Sequence, residues 1–171
     1  MQIRHAQMSD LDRLAAIEAA SYPAAEGASR ESLAGRLAAY PELFWLLEEE
    51  GEVRAFVNGF ATDTPDLTDE MYDRPSLYDP AGAWQMIFSV VTAPEWRGQG
   101  CASALLTQML ADARATGRKG VVLTCKQALL PFYSRFGFVD EGVSGSTHGG
   151  VVWHQMRIVF WSIYKKSLSA F

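Results

Sequence analysis

Hydrophobic and polar positions along this chain fall into blocks whose period changes from one block to the next. Met1 to Ala6 reads as a first strand. Ser9-Asp10-Leu11-Asp12 reads as a helix start, with Ser9 as N-cap and the aspartates at the positive end of the helix dipole. Leu11, Leu14, Ala15 and Glu18 share one face of that helix, which is predicted to run to about Ala20. The segment Ser21 to Ala28 breaks it. A second helix follows a Ser29 cap, with Leu33, Leu37 and Tyr40 on one face. Phe44 to Glu48 and Val53 to Phe60 predict a hairpin around Glu49-Glu50-Gly51. Thr62 to Ala83 is a long acidic connection with one helical turn at Thr68 to Tyr72, and loops of that length are usually functional or mobile. Trp84 to Val91 reads as the central strand. The helix opening at Gly98 has Leu105, Leu106, Met109, Leu110 and Ala113 on a wide apolar face and stops at Gly117. Val121 to Cys125 reads as a buried strand. A short helix then precedes two last strands, Phe138 to Ser144 and Val151 to Ile158. The alternation predicts an α/β (α+β) single domain, a mixed central sheet flanked by helices, with ligand at the end of the central strand.

The turn after the central strand carries the first candidate chemistry. Arg97-Gly98-Gln99-Gly100-Cys101-Ala102-Ser103 puts small residues where a helix begins. The first N–H groups of a helix have no internal partner, and the dipole adds partial positive charge there. Gly98 and Gly100 let an anion approach the main chain, and Arg97 adds a full charge. A pyrophosphate is the expected guest. No Gly-Lys-Ser/Thr follows, which excludes a Walker A loop. Gly98-x-Gly100-x-x-Ser103 lacks the third glycine of the dinucleotide fingerprint.

Composition narrows the picture. At 171 residues the chain is long enough for one real core. A net charge of −5 argues against a nucleic-acid partner, which selects a basic face. Cys101 and Cys125 form no paired motif and read as free thiols of a cytoplasmic protein. No apolar run approaches the roughly 20 residues that span a bilayer, so no membrane partner is expected. His5, His148 and His154 lack metal-ligand spacing, so no metal is expected. Residues 159–171 hold two lysines among Trp161, Ile163, Tyr164, Leu168 and Phe171. A packed terminal helix, a homodimer contact and a frayed end all stay open for this tail.

Arg97-x-x-Gly100-x-Ala102 resembles the acyl-CoA loop of the GNAT superfamily of N-acetyltransferases. Ala128-Leu129-Leu130-Pro131-Phe132-Tyr133-Ser134-Arg135-Phe136-Gly137-Phe138 resembles the second signature of that superfamily, a short helix with a tyrosine before a Gly-Phe turn. Order and separation also match. The wording from Cys125 to Phe138, with Pro41-Glu42-Leu43 and Ala55-Phe56-x-x-Gly59, is similar to the arylalkylamine N-acetyltransferase branch. The resemblance covers about Ile3 to Ile158 and implies an N-acetyltransferase domain over residues 1–158.

That resemblance implies an acetyl-CoA cosubstrate and a small-molecule primary amine, such as an arylalkylamine. Acetylation of a protein or peptide, and a CoA-binding regulatory module without turnover, are the alternatives. It implies that Gly98, Gln99, Gly100, Cys101, Ala102 and Ser103, with Arg97, hold the pyrophosphate. Main-chain groups of Val90, Val91 and Thr92 would bind pantetheine like an added strand. Tyr133 would be the general acid, since a phenol with a pKa of about 10 can protonate a thiolate. Vertebrate-type members place two histidines at positions that here hold Met86 and Phe88, neither of which titrates. Glu26, in the segment between the first two helices, and His148 are the candidate replacement bases, both also read as ordinary surface residues, and water is the third proton acceptor left open. Tyr22, Phe56, Phe60, Phe88 and Trp84 read either as an apolar acceptor pocket or as strand core. The acidic loop reads either as an attractor for ammonium groups or as a solvated face.

Overall fold

The computed structural model describes residues 1–160. A seven-stranded sheet runs through them in the order β1-β2-β3-β4-β5-β7-β6. Its strands are β1 Gln2–His5, β2 Phe44–Glu49, β3 Glu52–Thr62, β4 Trp84–Thr92, β5 Gly120–Cys125, β6 Val139–Val143 and β7 His154–Val159. Every neighbouring pair is antiparallel except β4 with β5. The helices are α1 Leu11–Ser21, α2 Arg30–Ala39, α3 Asp69–Asp73, α4 Cys101–Thr116 and α5 Leu130–Ser134. The mixed α/β architecture expected from the sequence is therefore present in one unit.

Opposite faces of the sheet are covered by different helices. Trp45 on β2 donates its indole N–H to Asp112 of α4 at 2.8 Å. Arg36 of α2 donates to Asn58 of β3 at 3.0 Å. Trp45 pairs with Val57, and Val57 and Asn58 are consecutive, so they point to opposite faces. α4 therefore covers one face, and α1 with α2 cover the other. The two inner faces bury Leu14, Leu33, Phe44, Leu46, Phe56 and Phe60 on one hand and Val57, Leu105, Leu106 and Met109 on the other.

Two irregularities place the site. The first is that β4 and β5 pair only from Trp84–Ile87 to Gly120–Leu123. Beyond Ile87 the two strands separate. β4 continues to Thr92 against β3 alone, which opens an unpaired edge on the order of 16 Å long. The second is a bulge in β4. Asn58 faces Ser89 but Gly59 faces Ile87, so Phe88 is an inserted residue. Gly59 is the residue that admits it, because a Cβ there would fall 1.7 Å from the Met86 carbonyl oxygen.

Several local boundaries differ from the sequence reading. Ser9 is not the cap of α1. Met8–Asp10 forms a 3-10 turn first, and the Asp10 carboxylate accepts the Gln7 N–H at 2.8 Å. α2 starts as expected, with Ser29 Oγ accepting the Ser32 N–H at 3.0 Å. α4 begins at Cys101 rather than at Gly98, because Gly100 takes a left-handed φ of 80° as its N-cap. The last strand begins at His154, three residues late, because His148–Gly150 forms a 3-10 turn. Of the tail, only residues 159 and 160 are among the described residues; the expectations for 161–171 lie outside them.

Candidate active site

The separation of β4 from β5 makes a cavity of about 220 Å³. Its walls come from both strands, from the end of α1 and the segment after it, from α3, from α5, and from the turn around His148. Each wall brings one or two side chains with chemistry.

Tyr133 enters from α5 and is buried against Phe132, Phe138 and the cavity. Burial, then the neighbouring Tyr22 and Cys125 hydroxyl and thiol, push its pKa well above that of a free phenol. It is a protonated donor at any neutral pH. Cys125 also lines the cavity, and burial pushes its thiol up to about 11. A thiol that stays protonated is a poor nucleophile.

Glu26 and His148, predicted from separate parts of the chain, meet at this cavity. The His148 Nε2 lies 2.7 Å from the main-chain oxygen of Glu26. A carbonyl only accepts, so Nε2 is the donor in this contact. The His148 ring stacks on Tyr72, with planes 7° apart. The Glu26 carboxylate is largely buried and holds Lys126 Nζ at 2.9 Å.

Of the aromatic residues singled out in the sequence, Tyr22 and Phe88 line the cavity. Phe56 does not. It is fully buried in the core, stacked on Phe44 with centroids 6.4 Å apart. Phe60 is likewise core, packed on Tyr40 and Tyr78. Trp84 sits at the paired end of β4, under the Arg157 guanidinium. Alternation within a strand cannot tell a core face from a cavity face, and only the bulge turns Phe88 toward the opening. Met86 is fully buried.

The acidic loop is spent on the fold. Asp66 pairs with Arg157, Glu70 with Arg74, and Asp69 accepts from Ser146 and Thr147. Its contribution to the cavity is Tyr72, whose hydroxyl meets Thr124 Oγ1 at 3.2 Å.

The open edge of β4 adjoins the cavity. Ala93 N–H donates to Arg54 of β3 at 2.8 Å, which fixes the alternation of the strand. Val90 and Thr92 therefore turn their main-chain groups to the open side, while Val91 faces β3. Tyr22 Oη donates to the Val90 oxygen at 3.2 Å, and Arg97 Nε to the Thr92 oxygen at 3.4 Å. The expectation that Val91 offers free main-chain groups is corrected by this parity, and its side chain is core.

At the end of that edge lies the turn. Trp96 fixes it, its ring centroid 3.5 Å from Arg54 Cζ. Gly98 and Gly100 both have positive φ, and no atom comes within 4 Å of where their Cβ atoms would stand. No side chain caps α4, so the N–H groups of Cys101, Ala102 and Ser103 have no intrahelical partner. Arg97 is exposed beside them, donating to Ser21 Oγ at 3.2 Å. This is an open anion cradle with a strand edge leading from it to the cavity. An acyl-CoA fits its chemistry: charge at the cradle, amides along the edge, a thioester at the cavity.

The sequence reading missed one cavity group. Glu18 of α1 lines the cavity and is only 2% exposed. A carboxylate in register with Leu11 and Leu14 on an apolar helix face was the available signal. Lys126 and Trp153 also line the cavity without having been singled out.

Among the described residues, no group of three or more His, Cys, Asp or Glu side chains could hold a metal, and no helix is long and apolar enough to cross a membrane.

Comparison with known proteins places the chain. It is 31% identical over 118 residues to the serotonin N-acetyltransferase of Mesocricetus auratus, a match over 68% of this chain and 56% of that protein. The chain thus matches little more than half the length of that relative. The fold is similar to the loading GNATL domain of CurA from Lyngbya majuscula, with a TM-score of 0.82, 20% identity, and 92% and 96% of the two chains covered. It is similar too to the GphF GNAT-like decarboxylase in complex with isobutyryl-CoA, with a TM-score of 0.77, 23% identity, and 93% and 99% covered. At those identities the structural likeness speaks for the fold alone. The acetyltransferase (GNAT) family profile matches residues 11–138, and the chain belongs to that family.

Proposed function

We propose that this chain transfers an acetyl group from acetyl-CoA to the primary amine of a small molecule, an arylalkylamine in the first instance. The observation that carries the reading is the junction of three features. An anion cradle, an unpaired strand edge and a small aromatic cavity with a protonated tyrosine follow one another along β4. Acetyl-CoA would supply the activated thioester.

In this reading, Gly98 to Ser103 and Arg97 bind the pyrophosphate, and Val90 and Thr92 align the pantetheine amides. Tyr22 and Arg97 hold the Val90 and Thr92 oxygens until the ligand arrives. A main-chain N–H of the open edge polarises the thioester carbonyl. Tyr133 gives its proton to the departing sulfur. The amine proton leaves on the α1 side of the cavity, where Glu26 and His148 stand. Tyr22, Tyr72 and Phe88 receive the aryl group. The narrow, walled cavity favours a small molecule over a peptide, which needs a groove. The relation to serotonin N-acetyltransferase supports the same substrate class.

The test is CoA thiol release with tryptamine, phenethylamine, spermidine and an N-terminal peptide, each against an amine-free control. Arylalkylamines should be turned over best. Peptide preference would move the reading to protein acetylation, and binding of acetyl-CoA without any amine-dependent release would make the chain a regulatory module.

A further inference from the structure

Glu18 is a buried carboxyl that the preceding reading leaves without work. Its Oε1 accepts the Ala28 N–H at 3.1 Å, which ties α1 to the start of α2. Its Oε2 is buried and has no hydrogen-bond partner. A buried carboxylate oxygen without a partner is costly, and native proteins keep such groups where they act. Glu18 lines the cavity that holds Tyr133.

A polar network fixes it there. Ser89, at the bulge, faces Glu18 and favours its ionised form. The Ser89 hydroxyl accepts from Asn58 Nδ2, and Asn58 Oδ1 accepts from Arg36 Nη1 at 3.0 Å. Arg36 is buried, donates also to the Tyr72 oxygen, and lies under the Phe88 ring with 4.8 Å from Cζ to its centroid. The guanidinium is near enough to stabilise the Glu18 anion without bonding it. The carboxyl is therefore oriented by its neighbours, and its second oxygen is left unpartnered at the wall of the cavity.

We infer that Glu18 is the general base, the group whose Oε2 binds the substrate ammonium and removes its proton. This rests on the amine-acetylation reading above and names the residue that reading leaves open. Glu18 takes one proton from R–NH₃⁺, and the freed lone pair forms the C–N bond while the C–S bond breaks. Tyr133 protonates the sulfur and is restored by the second proton on nitrogen. Glu18 then returns its proton to water, so the products are the N-acetylated amine, the CoA thiol and one proton. Burial raises the Glu18 pKa, which moves the carboxylate toward the strength a base needs near neutral pH. The other titratable groups that face it are Arg36 from α2, Tyr72 from α3, Tyr22 and Glu26 from the α1–α2 segment, and His148. Glu26 is already engaged by Lys126.

The experiment is Glu18→Gln against wild type, with acetyl-CoA and tryptamine, across a pH series. Glutamine keeps the Oε1 acceptor for Ala28, and melting curves check the fold. We expect kcat/KM at neutral pH to fall about 100-fold, with acetyl-CoA affinity unchanged by calorimetry. The deficit should shrink as pH approaches the pKa of the amine, and the acidic limb of the wild-type profile should vanish. Glu18→Asp, which retracts the carboxyl by one methylene, should lose rate but keep a limb. A Glu18→Gln variant with wild-type kcat/KM overturns the assignment, as does a deficit that is equal at every pH. A limb lost in Glu26→Gln or His148→Ala but kept in Glu18→Gln gives the role to those residues. If wild type binds acetyl-CoA and acetylates none of the amines in the panel, the acetyltransfer reading falls and Glu18's role with it; turnover by wild type with an unaffected Glu18→Gln sinks Glu18 alone.

Discussion

Replacing Tyr133 by phenylalanine removes one oxygen from the cavity and leaves the packing in place. The ring keeps its edge contacts with Phe132 and Phe138, at centroid distances of 5.0 and 5.9 Å. Burial and the neighbours Tyr22 and Cys125 set the phenol's titration, and no hydrogen bond is among its causes. Among the described residues the variant therefore strands no donor or acceptor, and its stability should stay within about 0.5 kcal/mol of wild type. Turnover should respond differently. A positioned acid contributes about 100-fold or more, and that lower bound is about 2.7 kcal/mol of barrier. Because burial disfavours the phenolate, the donor stays loaded as pH rises, and the parent enzyme should show no basic limb from Tyr133 below about pH 10. The assay is thiol release with acetyl-CoA and tryptamine at saturating concentrations, with melting curves and acetyl-CoA calorimetry alongside. A kcat within twofold of wild type would refute the acid role. A slowed variant that also lost acetyl-CoA affinity would show Tyr133 to be part of the binding surface instead.

Gly100→Glu places a carboxylate at the anion cradle, and acetyl-CoA affinity by calorimetry should fall at least tenfold, about 1.4 kcal/mol. Since Gly100 has a φ of 80°, any side chain there adds roughly 1–2 kcal/mol of backbone strain, so Gly100→Ala is the control that shares the strain without the charge. Gly59→Ala must displace main chain, because its Cβ would lie 1.7 Å from the Met86 oxygen; a loss of about 3 kcal/mol should lower Tm by about 6–12 °C, and an unchanged melt would dismiss the bulge's dependence on glycine. Glu18 has its pKa raised in the folded protein, so its contribution to stability is full below the ordinary glutamate range and is lost as pH rises through the folded value. Glu18→Gln should thus melt higher than wild type at neutral pH and converge with it near pH 4; parallel Tm profiles would contradict the burial cost.

Much of the fold was legible because periodicity and caps are local. Ser29 announces α2, and Gly117, with a φ of 87°, ends α4. The Arg97 to Ser103 turn was legible for the same reason, since an anion cradle is a property of a few consecutive residues. Register was not legible. Nothing in Trp84 to Thr92 says that pairing with β5 stops at Ile87, and that stop creates the cavity. Phe56 and Phe88 look alike in sequence, yet one is core and the other cavity, because a bulge intervenes. Glu18 was visible as a helix-face residue, but its unpartnered oxygen depends on where Ala28, Ser89 and Arg36 arrive from other elements.

The inserted Phe88 acts on β4 as a frameshift acts on a reading frame. Upstream of it Ile87 is matched to Gly59, and downstream Val90 is matched to Val57. Were β4 paired one for one from Ile87 onward, Val90 would fall opposite Phe56, and every amide beyond that point would exchange sides. Val90 and Thr92 would then turn inward to β3, and Val91 would be left facing the gap. The accessibility of the edge is thus counted in whole residues. A one-residue deletion at Phe88 would erase the bulge yet keep Val90 opposite Val57, whereas one between Val90 and Arg97 shifts the edge and the turn and should be more damaging than most substitutions there, even where it removes no group that touches a ligand.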